Sequence, residues 1–441
     1  MLIEFTVGNY KSFREPATLS LIAAPIRSKN KKLDEDHLII IDNDLKLLTS
    51  AGVYGANASG KSNLIDAANF MRRFVRQSFK STQFDEGISV EPFRLSTATE
   101  DKPSYFEAVF LIERQQYRYG FEVDRRQVIS EWLYTVPKRR EVLLFERQGQ
   151  EIVPNASNPL AREYRSVLTL LPKINPEEPV RQNALFLSVA AQNNGPVSKK
   201  ILGWFSNMRF MSGLNDRDFR GYTVEQFENP TVRAMMIEMV KDLDVDIQDI
   251  QIERKDREKA LQEAPHKLRE ILEKFDAVEA FSVHTRHEKY DARGEVVGYE
   301  DFDLSENESE GTNKLFFMTG PIIDTLLHGR VLWFDEMEAR LHPKITQAIV
   351  GLFNSKTKNP QGAQLIFTTH ETNLLDLNLL RRDQIWFIEK DATAASHLVS
   401  LVEFKLRNDD ASVEEDYIIG RYGAVPHIGE LKADYYEVDP Q

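Results

Sequence analysis

The 441-residue chain predicts an α/β fold: a mixed sheet with flanking helices, an antiparallel β subdomain beside it, and an inserted helical region. Three observations carry that expectation. A glycine-rich stretch, Gly55-Ala56-Asn57-Ala58-Ser59-Gly60-Lys61-Ser62, lies between a strand-like apolar run and a run of helical period. A second apolar run, Val331-Leu332-Trp333-Phe334, ends in Asp335-Glu336. A third, Gln364-Leu365-Ile366-Phe367, ends in Thr368-Thr369-His370. Short apolar runs separated by helical segments are the pattern of buried parallel strands, and the ends of such strands are where open sheets bind ligands.

The stretch from Gly55 to Ser62 matches G-x-x-x-x-G-K-[ST] at every fixed position. Glycines there let backbone N–H groups turn inward on phosphates, the lysine reaches the β- and γ-phosphates, and the final hydroxyl holds Mg²⁺. Context agrees with the motif. Ala51-Gly52-Val53-Tyr54 leads in as a strand, and Leu64, Ile65, Ala67, Ala68, Met71, Phe74 and Val75 recur afterwards at helical spacing. The positive end of that helix then faces the phosphates. The expected contacts of ATP, or of GTP, are Gly55, Asn57, Ser59, Gly60, Lys61, Ser62 and Asn63, with Ser62 also a metal ligand.

Composition narrows the class. Hydrophobic content of 41% and charged content of 28% are ordinary for a globular protein, so the chain has ample apolar material for a core. No apolar run approaches the roughly 18 residues of a membrane span, and Met1-Leu2-Ile3-Glu4-Phe5 has no signal-peptide pattern. The expected compartment is the cytoplasm, without membrane association. The absence of cysteine excludes disulfides, thiolate zinc sites and a cysteine nucleophile. A net charge of −13 argues against a surface basic all over, while leaving local patches for nucleic acid open.

Taken in order, residues 2–7 and 17–23 read as a hairpin around Asn9-Tyr10-Lys11-Ser12-Phe13-Arg14, and residues 25–37 as a solvated loop. After the glycine-rich stretch and its helix, Tyr105 to Ile112, Tyr117 to Val123, Val128 to Tyr134 and Glu141 to Glu146 alternate as strands of an antiparallel sheet. The basic clusters Arg72, Arg73, Arg76, Lys80 and Lys138, Arg139, Arg140 read first as solvated surface, with a nucleic-acid or acidic-partner contact as the alternative. Between 156 and 300 the texture turns helical, at Leu160 to Leu171, Pro196 to Met211, Thr223 to Leu243 and Asp256 to Phe275. Strand-like alternation returns at Glu279 to Tyr290 and Glu295 to Leu304. His284 and His287 would face opposite sides of such a strand, which disfavours a shared metal. The expected division is therefore 1–155 for the first part of the core with the β subdomain, 156–300 for the insertion, and 301–441 for the rest of the core.

The acids close the site from the far end of the chain. Asp335 at a strand end would support Mg²⁺, and Glu336 would polarise an attacking water. His370 as a neutral imidazole can hydrogen-bond a γ-phosphate or hold that water. Glu308-Ser309-Glu310-Gly311-Thr312-Asn313-Lys314 precedes a helix-like run to Leu327, so Ser309 and Gly311 could form a second anion site, or only an N-cap. One chain already has its own phosphate loop, so a second such element invites a partner subunit's nucleotide.

These residues, in this order, resemble the ABC-type P-loop ATPase head shared by SMC and RecF repair proteins and the overcoming-lysogenisation-defect nucleases. Asn9 to Phe13, Leu341-His342-Pro343 and Arg421-Tyr422-Gly423-Ala424-Val425-Pro426 are similar to the AAA family, subgroup fifteen, which includes RloA-type and abortive-infection phage-defence ATPases. The resemblance implies a homodimer or higher homo-oligomer in which two heads sandwich two ATPs, each completed by the other subunit's Ser309 and Gly311. It implies ATP hydrolysis, and a separate effector such as a nuclease or toxin. A DNA-binding repair or chromosome clamp is the alternative. Glu310 and Thr312 depart from the usual signature, Gln83 is one candidate for the Q-loop, and Glu338-Ala339-Arg340 takes the D-loop position. Without long heptads or cysteine there is no zinc-hook arm. The residues after His370 leave no room for a Toprim nuclease, so Asp409, Asp410, Glu414, Glu415 and Asp416 read as a solvated run.

Overall fold

The computed structural model describes residues 1–79, 87–137, 140–171, 178–243, 247–254, 281–405 and 412–426. Gln83, Lys80, Lys138, Arg139, Asp409, Asp410 and the helix expected over Asp256 to Phe275 lie outside them.

Two large sheets enclose the helix that follows the glycine-rich loop. The first contains β1 (Leu2–Gly8), β2 (Ala17–Ser20), β6 (Ser104–Ile112), β7 (Gln115–Val123), β8 (Val128–Val136), β9 (Val142–Gln148) and β10 (Glu151–Pro154). It is antiparallel throughout, in the order β10-β9-β8-β7-β6-β1-β2. The second contains β5 (Ser50–Tyr54), β11 (Arg209–Ser212), β15 (Val331–Asp335), β16 (Gln364–Thr369), β17 (Ile385–Lys390) and β18 (Ser396–Ser400), in the order β11-β15-β16-β5-β17-β18. It is parallel except for the β17–β18 pair. Two smaller sheets pair β3 (Leu38–Ile40) with β4 (Lys46–Leu48), and join β12 (Asp249–Arg254), β13 (Phe281–Tyr290) and β14 (Val296–Asp303).

The helix Lys61–Gln77 carries its apolar stripe between the large sheets. Phe70 meets Phe106 of the antiparallel sheet at 4.8 Å between ring centres and stacks on Phe74 at 5.7 Å. Each such ring removed from water contributes about 1.5–3 kcal/mol, which fixes the helix against both layers. Buried Gln364 joins the layers by hydrogen bonds: it accepts from Leu2 N at 2.6 Å and donates to Leu2 O and Leu48 O at 2.9 and 3.2 Å. On the other face of the parallel sheet, helices Glu310–His328 and Pro343–Phe353 bury Phe316, Phe317, Ile322, Ile349 and Phe353.

Several expectations are corrected. The helix from Pro196 ends at Asn207, because Arg209 to Ser212 take extended backbone and pair in parallel with Leu332 to Asp335. The core sheet thus takes an edge strand from the stretch expected to be a helical insertion. The helical stretch to Leu243 is two helices, Arg217–Phe227 and Pro230–Leu243. Pro230 has no N–H to continue a helix and disfavours helical backbone in the residue before it. The loop at 25–37 contains the helix Lys31–Asp36, whose Leu33 is buried and whose Asp34 binds Arg381. Arg72 is not free surface: its guanidinium lies 4.8 Å from the Phe210 ring centre and donates to Met208 O, while Arg73 and Arg76 are exposed. Two of the acids after 412 are likewise engaged, while Glu415 is exposed as expected. Glu414 accepts from Thr372 at 2.6 Å, and Asp416 binds Arg421 at 2.6 Å and the Tyr422 hydroxyl at 3.1 Å. His287 bonds Glu308 at 2.6 Å, and no cluster of three metal-ligating side chains occurs among the described residues. No described helix is long and apolar enough to cross a membrane.

Candidate nucleotide site

β5 is buried along its whole length and delivers the chain directly into Gly55. Close approach explains the two fixed glycines. A Cβ on Gly55 would lie 2.4 Å from Ile388 O and 2.6 Å from Ser59 Oγ. Gly60 caps the helix with φ of 118°, and a Cβ there would lie 2.3 Å from Ser396 Oγ and 2.7 Å from Ser12 Oγ. Ala58 is also left-handed, at φ 61°. Asn57 and Ala58 form the loop's exposed tip, and the Ser59 hydroxyl is buried without a partner.

Lys61 is buried, and its ammonium donates to Gly55 O at 2.7 Å and Ala56 O at 3.0 Å. Burial pulls its pKa down to about 8, against the opposing pull of Asp335, Glu336 and Glu338. Those carboxylates come from the end of β15 and the turn after it. β16 lies between β5 and β15, so the end of β15 with Asp335 and Glu336, the end of β16 with His370, and the loop after β5 share one rim.

One hydroxyl organises the acids: Thr368 Oγ1 donates to Asp335 Oδ1 at 2.6 Å and accepts from Glu336 N at 2.8 Å. Glu336 sits at φ 48°, and Gly213 N donates to Asp335 O at 2.7 Å. Its position leaves no space for a side chain, since a Cβ on Gly213 would lie 1.8 Å from Glu336 O. His370 donates its backbone N–H to Glu338 Oε1 at 2.7 Å. Burial, then the Lys61 charge, lowers the His370 imidazole pKa below its ordinary value, which favours the neutral ring at pH 7.

Ser309 caps the helix Glu310–His328 by accepting from Thr312 N at 3.0 Å. Gly311 packs on the turn after β15, where a Cβ would meet Arg340 O at 3.0 Å, and Glu310 pairs with Arg340 at 3.3 Å. The described side-chain bonds of Ser309 go to Thr312, not to the loop at Gly55. The structure therefore gathers Lys61, Asp335, Glu336 and His370, and leaves Ser309 and Gly311 on a separate, partly exposed surface.

Several contributors escape sequence reasoning. Ser12 and Ser396 meet behind the loop: Ser396 Oγ donates to Ser59 O at 2.5 Å, Ser396 N to Ser12 O at 2.7 Å, and Asn63 Nδ2 to Ser12 Oγ at 2.7 Å. Asn63 thus faces Ser12 in this structure. Ser12 and Thr368 lie inside motifs legible in the sequence, but Ser396 and Gly213 join from distant segments without any local mark.

Two sheets, the helix between them and a phosphate-type loop beside strand-end acids define an α/β fold of the P-loop nucleotide-binding class. Residues 50–376 match the family described as "AAA domain, putative AbiEii toxin, Type IV TA system", and the chain belongs to that family. No curated protein matches. Among solved structures, the SMC head domain from Thermotoga maritima is 12% identical over 92% of this chain and 99% of that one. The SmcHead bound to the C-winged helix domain of ScpA is 14% identical, over 90% and 97%. The Smc head with an extended coiled coil bound to the C-terminal domain of ScpA, from Pyrococcus furiosus, is 13% identical, over 96% and 98%. Each has a TM-score of 0.40, too low to support a statement about fold or function.

Proposed function

We propose that the protein binds and hydrolyses ATP as a molecular switch, closing head to head around two nucleotides and regulating a separate effector in anti-phage defence. The observation that supports it best is the single hydroxyl of Thr368 holding Asp335 and Glu336 on the rim that Lys61 occupies. The residues fit the ligand. The orphaned Ser59 hydroxyl, two glycines that keep the loop tight and a lysine whose described partners are neutral carbonyls suit anionic oxygens.

In this reading Lys61 leaves its loop carbonyls for the β- and γ-phosphates, and the loop amides with Gly55, Asn57, Ser59, Gly60 and Asn63 surround them. Ser62 and Asp335 would hold Mg²⁺, which supplies charge neutralisation on the phosphate oxygens when bound. No described residue bonds Asp335 Oδ2, so that oxygen remains for a cation. Glu336 takes the proton of the attacking water as its oxygen bonds to the γ-phosphorus and the bond to ADP breaks. His370, neutral, donates to the γ-phosphate or orients that water. Exposed Ser309 and half-buried Gly311 serve the partner's ATP.

The family description, with its toxin–antitoxin setting, supports the defence role. The test is ATP binding and turnover in Lys61→Ala and Glu336→Gln proteins. Both lose turnover, and the Glu336→Gln protein still binds ATP and accumulates as a dimer. Normal turnover in both removes the site assignment. ATP-dependent binding of duplex DNA that weakens steeply with salt would instead favour a clamp.

A further inference from the structure

Lys314 is as deeply buried as Lys61, at 4% exposure against 5%, yet it belongs to no phosphate loop. It lies one turn into the helix Glu310–His328, and its ammonium donates to Met337 O at 3.3 Å and to Ala339 O. Beneath it, the Cβ position of Gly213 lies 3.1 Å from Nζ and still closer to Glu336 O, so a lysine and a missing side chain clamp the same turn from two sides. The Phe334 ring, immediately before Asp335, lies 6.0 Å from the ammonium. Burial lowers the lysine's pKa to about 8, the nearby Glu338 charge opposing. An ammonium held in such a place must have its donors matched, and here backbone carbonyls of the turn from Met337 to Arg340 match them.

That turn links the end of β16 to the helix of Ser309 and Gly311. It begins at Glu336, and through Glu338 it accepts the His370 backbone N–H. Through Arg340 it meets Gly311 and Glu310. We propose that Lys314 is a positioning residue for hydrolysis: by fastening the signature helix to the turn after β15, it lets engagement of Ser309 and Gly311 by a partner's nucleotide set the placement of Glu336 on this subunit's own nucleotide. The proposal rests on the two-headed ATPase reading above. It is the ammonium, with several donors on one centre, that allows two carbonyls of the turn to be held at once; a hydrocarbon of the same length would hold neither.

The experiment compares wild type with Lys314→Met, Lys314→Gln and Lys314→Arg, measuring ATP affinity with a fluorescent ATP analogue, kcat per nucleotide-binding site, and the dependence of turnover on protein concentration. Lys314→Met binds ATP within about twofold of wild type, since Lys61 is untouched. Its kcat falls roughly ten- to hundredfold, the usual scale for a catalytic group misplaced by about an ångström. Its remaining turnover no longer rises with protein concentration. Lys314→Arg recovers part of kcat. A purely structural lysine would instead lower the melting temperature while leaving kcat per binding site unchanged, and that result overturns the proposal. If Lys314→Met does not fold, Lys314→Gln, whose arm is one bond shorter and draws its donors back from the two carbonyls, decides by the same criteria. Lys61→Ala separates the two levels: normal turnover there removes the ATPase site itself. Loss of turnover in Lys61→Ala with wild-type kcat in Lys314→Met removes only the coupling.

Discussion

Replacing Thr368 by valine removes one oxygen and keeps the shape of a buried side chain, so it isolates what that hydroxyl does. In the native site it donates to Asp335 Oδ1 at 2.6 Å and accepts from Glu336 N at 2.8 Å, and Thr368 itself is fully buried. Losing a hydrogen bond to a carboxylate costs about 1.5–3 kcal/mol, and stranding a buried N–H adds about 1–3 kcal/mol. Asp335 and Glu336 are only half-buried, so water recovers part of both, and the net loss is about 2–4 kcal/mol. That leaves a head of ordinary stability folded. The assay pairs urea denaturation with single-turnover hydrolysis. Thr368→Val shifts the unfolding midpoint down and slows the chemical step by tenfold or more, with ATP affinity held by Lys61 unchanged. Thr368→Ser, which restores the hydroxyl, recovers the chemical step but not all of the stability. A valine protein that unfolds within about 1 kcal/mol of wild type and hydrolyses ATP at the native rate would refute the claim that this oxygen positions the acids.

Gly60→Ala places a methyl 2.3 Å from Ser396 Oγ at a φ of 118°, so ATP affinity, read by fluorescence titration, falls at least about tenfold alongside a loss of about 1–2 kcal/mol in stability. Lys61 in the empty protein titrates at about 8, and nucleotide phosphates raise that value, so binding takes up a proton at higher pH. Affinity is therefore full below about pH 8 and falls by up to about tenfold per unit above it; a flat profile from pH 7.5 to 9.5 contradicts this. Arg381 is buried against Asp34 and Asp383, and Arg381→Met takes the charge partner from buried Asp383, leaving it Ala24 N, while partly exposed Asp34 keeps Ser28, costing about 3 kcal/mol in denaturation measurements. A cost below about 1 kcal/mol would show that solvent reaches the pair.

Residues whose chemistry is local were readable in advance. The loop at Gly55 to Ser62 declares itself because only glycine tolerates a neighbour at 2.4 Å or a φ of 118°, and the strands ending at Asp335 and His370 because their apolar runs stop at polar side chains. What escaped is whatever depends on which strands become neighbours. β11 is four residues with no apolar alternation, and its register with β15, Ser212 opposite Asp335, comes from the sheet rather than from its own sequence. Gly213 and Ser396 matter only because the fold brings them against Glu336 and Ser59. The break before Pro230 was carried by a single residue, and the spacing of apolar residues ran across it.

The order of the core sheet, β11-β15-β16-β5-β17-β18, has a consequence for the time at which the protein becomes active. β5 and the phosphate loop are synthesised before either strand that flanks β5, both of which follow Asp335 in the sequence. Pairings so distant in sequence form late and slowly, because long loops must close before the contacts reward them. A nascent chain therefore carries its nucleotide loop exposed and without acids, and a truncated product can hold no complete site. Synthesis through His370 is thus the earliest point at which Lys61, Asp335, Glu336 and His370 can come to share one rim.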